Sequence, residues 1–166
     1  MPDPPLLVAM CGIPFSGKST IARELGDRCG LALVSVDAIV RERNIDVGSQ
    51  RGWAKAMAEG LARTRRLLAE GQAVVYDNAN HSRRNRDRCR RLVKQNDARF
   101  RLVWVDTPVE VARRRLVANR QTLARSDVPD TSFFEIVDQF EPPADERNVL
   151  RFTPGMTIDD LIRSIA

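Results

Sequence analysis

Lysine is scarce in this chain. Among 27 basic residues only Lys18, Lys55 and Lys94 are lysine, and the rest are arginine. Histidine occurs once, at His81, and tyrosine once, at Tyr76. The three cysteines, Cys11, Cys29 and Cys89, are odd in number and far apart. That argues against a paired disulfide frame or the close Cys/His spacing of a zinc site, and suits the reduced thiols of a cytoplasmic protein. No apolar run reaches the ~20 residues that a membrane-spanning helix requires. The opening Met1-Pro2-Asp3-Pro4-Pro5 has neither the basic nor the apolar region of a secretion signal. Aromatic residues make up 5% of the chain, and no base-stacking platform for a nucleic acid is evident among them.

What is present suits one globular domain spanning residues 1–166, with 43% hydrophobic and 30% charged residues. The net charge of +5 admits a nucleic-acid partner. It is equally explained by arginine-biased codon usage, or by arginines serving a phosphoryl-transfer lid.

The most informative stretch is Gly12-Ile13-Pro14-Phe15-Ser16-Gly17-Lys18-Ser19-Thr20. Its spacing is glycine, four residues, then Gly-Lys-Ser, the pattern of a phosphate-binding loop. The apolar run Leu6–Cys11 before it and the helix-period segment Ser19–Cys29 after it supply the strand and helix that the motif requires. Gly12 and Gly17 let the backbone curl so that N–H groups point inward at a polyphosphate. The helix that follows aims its positive end at the same place. Lys18 adds a mobile cation for the β- and γ-phosphates, the Ser19 hydroxyl is placed to ligate Mg²⁺, and Pro14, Ser16 and Thr20 complete the nucleotide contacts.

Apolar runs alternate with helical segments along the chain. Strands are expected near residues 31–36, 73–76, 100–105 and 149–152. Helices are expected near 37–43, 53–69, 82–95, 108–119, 131–139 and 158–165, with Ser82 as an N-cap and Pro108 in a first turn. This alternation predicts an α/β, three-layer fold with a parallel sheet covered by helices on both faces. Its ligand crevice then lies beyond the carboxyl ends of the strands. Trp53 and Trp104 read as core residues.

Three constellations fall at such strand ends. Asp37 follows the second strand, where it can take a proton from a substrate hydroxyl or cap the next helix. Asp77 closes the strand Val74-Val75-Tyr76, the position of a carboxylate that organises Mg²⁺ through water; a turn rich in Asn and Asp is the plainer reading. Arg113, Arg114, Arg115, Arg120 and Arg125 form a basic segment within a lid at about residues 113–130. Arg115 and Arg120 are the best placed to close on a transferring phosphoryl group, although a solvated helix face would look the same. Phe15, Arg41, Asn80, Arg83 and Arg86 are candidates for the acceptor side, while His81 reads as a loop-surface residue.

With these residues in place, the chain resembles the small P-loop kinases related to the 5′-hydroxyl polynucleotide kinase domain, with zeta-toxin and chloramphenicol phosphotransferase groups as more distant relations. The resemblance runs from about Leu6 to Arg147. It rests on the loop at 12–20, Ser35-x-Asp37, Asp77-x-x-Asn80 with Arg86, Pro108 with Arg115 and Arg120, and Phe140-Glu141-x-Pro143. It implies five parallel strands in the order 2-3-1-4-5. It also implies ATP- and Mg²⁺-dependent transfer of a γ-phosphoryl group to a hydroxyl, with Asp37 as general base and Arg115 or Arg120 as the lid arginine. The acceptor is a small molecule or a nucleic-acid 5′-hydroxyl. Val40 stands where polynucleotide kinases tend to carry an acceptor-holding arginine, and Ala79 stands where the related pattern has a hydroxyl. Two other classes fit the same loop: a nucleotide-hydrolysing switch acting through a partner, and a basic nucleic-acid-binding module.

Overall fold

The computed structural model describes residues 3–166; the first two positions of the N-terminal stretch read above lie outside it. Five strands form the sheet: β1 (Leu6–Cys11), β2 (Ala32–Ser35), β3 (Val74–Asp77), β4 (Arg99–Val105) and β5 (Val149–Phe152). Their order across the sheet is β2-β3-β1-β4-β5, and every neighbouring pair is parallel. The helices are α1 (Lys18–Cys29), α2 (Val36–Arg43), α3 (Gln50–Ala69), α4 (Arg83–Gln95), α5 (Val109–Thr122), α6 (Asp130–Gln139) and α7 (Ile158–Ile165).

The two-residue period of a strand explains the layers. In β1, Leu7, Ala9 and Cys11 face one core, together with Ile39 of α2, Ala56 and Leu68 of α3, and Cys89 and Leu92 of α4. Leu6, Val8 and Met10 face the opposite core, with Ile21 and Leu25 of α1 and Leu161 and Ile165 of α7. A strand apolar on both faces is what a central parallel strand requires. β1 is that strand, and its carboxyl end opens into the glycine loop.

Two local devices shape the rest. α3 buries Ala56, Gly60, Thr64 and Leu68, a four-residue stripe. A β-carbon on Gly60 would stand 3.0 Å from the Tyr76 ring, so glycine here lets the helix close on β3. Trp53 continues the same face two turns earlier, about 10 Å along the axis, and it is 39% exposed. The expectation that Trp53 is core is therefore corrected: the buried stripe of α3 begins at Ala56. Trp104 is buried as expected, against Phe140.

A third, smaller cluster joins Ile13 and Phe15 of the glycine loop to Ala112 and Leu116 of α5 and Phe133 of α6. α5 continues to Thr122 rather than stopping near Asn119, and the chain turns at Leu123 in a left-handed conformation. The 113–130 segment is thus packed directly on the loop between β1 and α1. Among the described residues no helix is long and apolar enough to cross a membrane.

Candidate active site

The loop is shaped by where its carbonyl groups go. The Ile13 carbonyl accepts from Lys18 Nζ at 2.7 Å and from the Ser16 N–H at 3.3 Å. The Ser16 carbonyl accepts from Thr107 Oγ1 at 2.7 Å and from Arg115 Nη1 at 3.1 Å, and the Phe15 carbonyl also accepts from Arg115, at 3.2 Å. In a trans peptide the N–H points opposite to the carbonyl. Holding the Ser16 oxygen outward therefore aims the Gly17 N–H inward. The first N–H groups of α1, from Lys18 to Thr20, have no intrahelical acceptor and lie beside it. The result is a concave ring of donors at a helix N-terminus, a site built for an anion.

Glycine is needed at both ends. A β-carbon at Gly12 would lie 2.8 Å from both Ser16 Oγ and the Val105 carbonyl oxygen. Gly17 has φ of 103°, a value that L side chains resist. Between them Pro14 is half-buried and Ser16 is 2% exposed with its Oγ 3.4 Å from Lys18 Nζ; beyond them, Thr20 in α1 is exposed.

The charged groups converge on this ring. Burial pushes Lys18 down to about 8, against the opposing pull of Asp77. Asp77 is 6% exposed, and burial pushes its carboxyl above the usual carboxylate range, against the pull of Ser19 and then Lys18. Among the described residues Asp77 forms no ion pair. A buried carboxylate without a basic partner, beside a serine hydroxyl, is a donor set that suits a hard divalent cation. No cluster of three or more His, Cys, Asp or Glu side chains is found among the described residues, so such a cation would take its remaining ligands from phosphate and water.

Asp37 is exposed at the start of α2. The cap of that helix is Ser35, whose Oγ accepts from the Ala38 N–H at 3.2 Å. The capping role considered for Asp37 thus falls to its neighbour. Ser35 lies opposite Asp77 in the β2–β3 register, so Asp37 follows at the same carboxyl edge of the sheet, and its charge acts on both Lys18 and Asp77.

Several sequence expectations are corrected. Arg86 is fully buried; it donates to Glu146 at 2.6 Å and to the Asn80 carbonyl at 2.9 Å, so its guanidinium is spent inside the protein and cannot hold an acceptor. Asn80 is also buried, and its Nδ2 donates to the Met10 carbonyl at 2.7 Å, tying the β3–α4 loop to the end of β1. The Gly12 N–H bonds to the Ala79 carbonyl in the same seam. Phe15 is 5% exposed within the third cluster and is not an open wall of an acceptor pocket. Arg120 donates to Asp127 at 3.0 Å, Asp130 at 2.8 Å and the Val128 carbonyl, bonds that brace the 113–130 segment on itself. His81 is half-buried, and burial lowers its pKa. Arg41 and Arg83 are exposed; the Arg83 N–H bonds to Glu141.

One residue gains weight. The Arg125 guanidinium lies 4.8 Å from the centre of the Phe15 ring, and its charge acts on Lys18 and Asp77. It stood in the arginine set without distinction, because sequence position alone does not reveal which way a loop arginine turns.

Central parallel strand, glycine loop and helix, with a carboxylate at the end of the neighbouring strand, define a P-loop nucleotide-binding fold of the kinase-like kind. The chain belongs to the AAA domain family, whose family model matches residues 7–143. Solved structures share the fold. A candidate kinase from Chloroflexus aurantiacus j-10-fl aligns with a TM-score of 0.81 at 17% identity, over 99% of this chain and 100% of that one. Kti12 of Chaetomium thermophilum in complex with ADP-AlF3 aligns at 0.73 and 20% identity, over 96% and 99%. The APS kinase CysC of Mycobacterium tuberculosis, in complex with AMPPNP and APS, aligns at 0.67 and 20% identity, over 99% and 96%. Among curated proteins, a tRNA dimethylallyltransferase of Synechococcus sp. (strain CC9902) is 41% identical over 69 residues. That match takes in 41% of this chain and only 22% of the relative's length. Family and glycine loop together support nucleotide binding.

Proposed function

We propose that this chain is a Mg²⁺-dependent kinase that moves the γ-phosphoryl group of ATP to a hydroxyl on an acceptor, either a small molecule or the 5′-end of a nucleic acid. The whole chain works as one kinase domain, and residues 113–130 act as its lid. Residues 12–20 hold the polyphosphate, with Lys18 neutralising its outer oxygens. Ser19 and Asp77 are the residues that would hold Mg²⁺; bound there, the ion would offset charge on the phosphate oxygens.

The observation that carries this reading is the state of Asp37. Ser35 caps α2, and the Asp37 carboxylate is exposed, with no hydrogen bond or ion pair among the described residues. Its charge still reaches Lys18 and Asp77. A carboxylate placed beside the phosphate end of a nucleotide site can accept the proton of an attacking hydroxyl.

The test is Asp37→Asn, assayed on acceptors drawn from nucleosides, oligonucleotides and sugars. Acceptor phosphorylation should fall about 10²- to 10⁴-fold while ATP affinity stays unchanged. A variant that phosphorylates as well as the parent would remove Asp37 from the reaction. ADP release that ignores every acceptor would favour the hydrolytic switch instead.

A further inference from the structure

The lid arginines differ in what their guanidinium groups already hold. Arg115 donates to the Phe15 and Ser16 carbonyls and so braces the outside of the phosphate loop. Arg120 is bonded to two carboxylates and a carbonyl within its own segment. Arg125 has no carboxylate within ion-pair distance among the described residues; its guanidinium rests on the Phe15 ring, 4.8 Å from the centre. Phe15 is itself a loop residue, held at a φ of 60° and 5% exposed. A cation resting on an aromatic face can move to a phosphate oxygen without breaking a salt bridge.

We propose that Arg125 is the catalytic guanidinium of this site and that Asn119 is the residue that positions it. This rests on the phosphoryl-transfer reading above. Asn119 lies in the last turn of α5, and the chain reverses at Leu123, whose φ is 49°. Its side chain, 8% exposed, then grips Arg125 from both sides. Nδ2 donates to the Arg125 carbonyl at 2.8 Å, and Oδ1 accepts from the Arg125 N–H at 2.9 Å. A primary amide offers a donor and an acceptor together; an ionised aspartate offers only acceptors. The grip fixes the main chain of an exposed residue in a segment without regular structure, and so points its side chain at the loop.

In the transfer, the acceptor oxygen forms a bond to the γ-phosphorus. The bond from that phosphorus to the β–γ bridging oxygen breaks, its electron pair leaves on ADP, and the acceptor's proton passes to Asp37. Arg125 donates N–H groups to the phosphoryl oxygens that gather charge during this exchange. Nothing is oxidised or reduced.

The experiment needs no acceptor. Binding of ADP·Mg²⁺ is compared with and without aluminium fluoride, which mimics the transferring group. The parent protein should hold the fluoride complex more tightly than ADP alone. Arg125→Ala should lose about 10²-fold of that enhancement with its ADP affinity kept, and Arg125→Lys should recover only a small part. Asn119→Ala and Asn119→Asp should each lose about tenfold of the enhancement, again with ADP affinity kept, and thermal melting confirms that they fold. An intact enhancement in Arg125→Ala overturns the proposal. An equal fall of both affinities in folded Asn119 variants overturns the positioning role, because that is what a merely structural residue would give. A parent that binds ADP without any enhancement overturns this inference alone. A parent that binds no nucleotide overturns the kinase reading and this inference with it.

Discussion

At the scale of single residues, Lys18 carries the sharpest consequence. Its buried ammonium is lowered from 10.5 to about 8. The folded chain therefore binds fewer protons than the unfolded one between those values, and this group's contribution to stability grows as pH rises through that window. A bound polyphosphate acts in the opposite direction and raises the lysine again. Nucleotide binding should accordingly take up a proton above about pH 8, with affinity highest below that pH and falling above it. Calorimetry near pH 8.5 in buffers of different ionisation enthalpy reads the uptake directly. Lys18→Met should abolish it, and an affinity that stays flat from about pH 7 to 9.5 would contradict the assignment. The loop itself was legible because its chemistry is contiguous. Arg86 was not: its carboxylate partner lies 60 residues away in the chain, so nothing beside it signals a buried pair. Arg125 was hidden for a related reason, since its direction depends on an asparagine six residues earlier.

At the scale of elements, α3 shows how packing overrides propensity. Gly52 sits in its first turn, where alanine would ordinarily favour the helix by about 1 kcal/mol. A β-carbon there would fall 1.7 Å from the Asp46 carbonyl oxygen, which is backbone and cannot swing aside. Gly52→Ala should therefore destabilise the protein by about 1–3 kcal/mol, as overpacking does. A urea unfolding midpoint equal to or above the parent's would show that the α2–α3 loop yields. The elements themselves were readable from period and caps. Ser82 caps α4 as expected, its Oγ accepting from the Asn85 N–H at 3.2 Å, and β1 alternates cleanly between two cores. What the period could not supply was the end of α5. Asn119 marks the last buried position, yet the helix continues to Thr122 with no apolar residue buried beyond it.

At the scale of the whole molecule, β1 is the centre of the sheet and its end is the ligand ring. Holding a nucleotide there joins β1, α1, the lid segment and, through Asp77, β3. Binding to the folded state alone should raise stability by about 2.7 kcal/mol at a hundredfold excess over the dissociation constant. For a domain of this size that is roughly 5–10 °C in melting temperature. ATP with Mg²⁺ should give the larger shift and EDTA should reduce it; equal shifts with and without the metal would remove Ser19 and Asp77 from metal binding. The strand order was foreseeable only through the resemblance to small P-loop kinases, which implies 2-3-1-4-5, the order the sheet has. The small cluster that joins loop and lid was not, because its members come from three separate stretches of chain. The family match ends at residue 143, whereas Glu146, 7% exposed, is the counter-charge of the buried Arg86. A polypeptide trimmed to the matched boundary would strand a positive charge directly behind the nucleotide cradle. The sequence just past the matched boundary is therefore part of the floor on which the cradle stands.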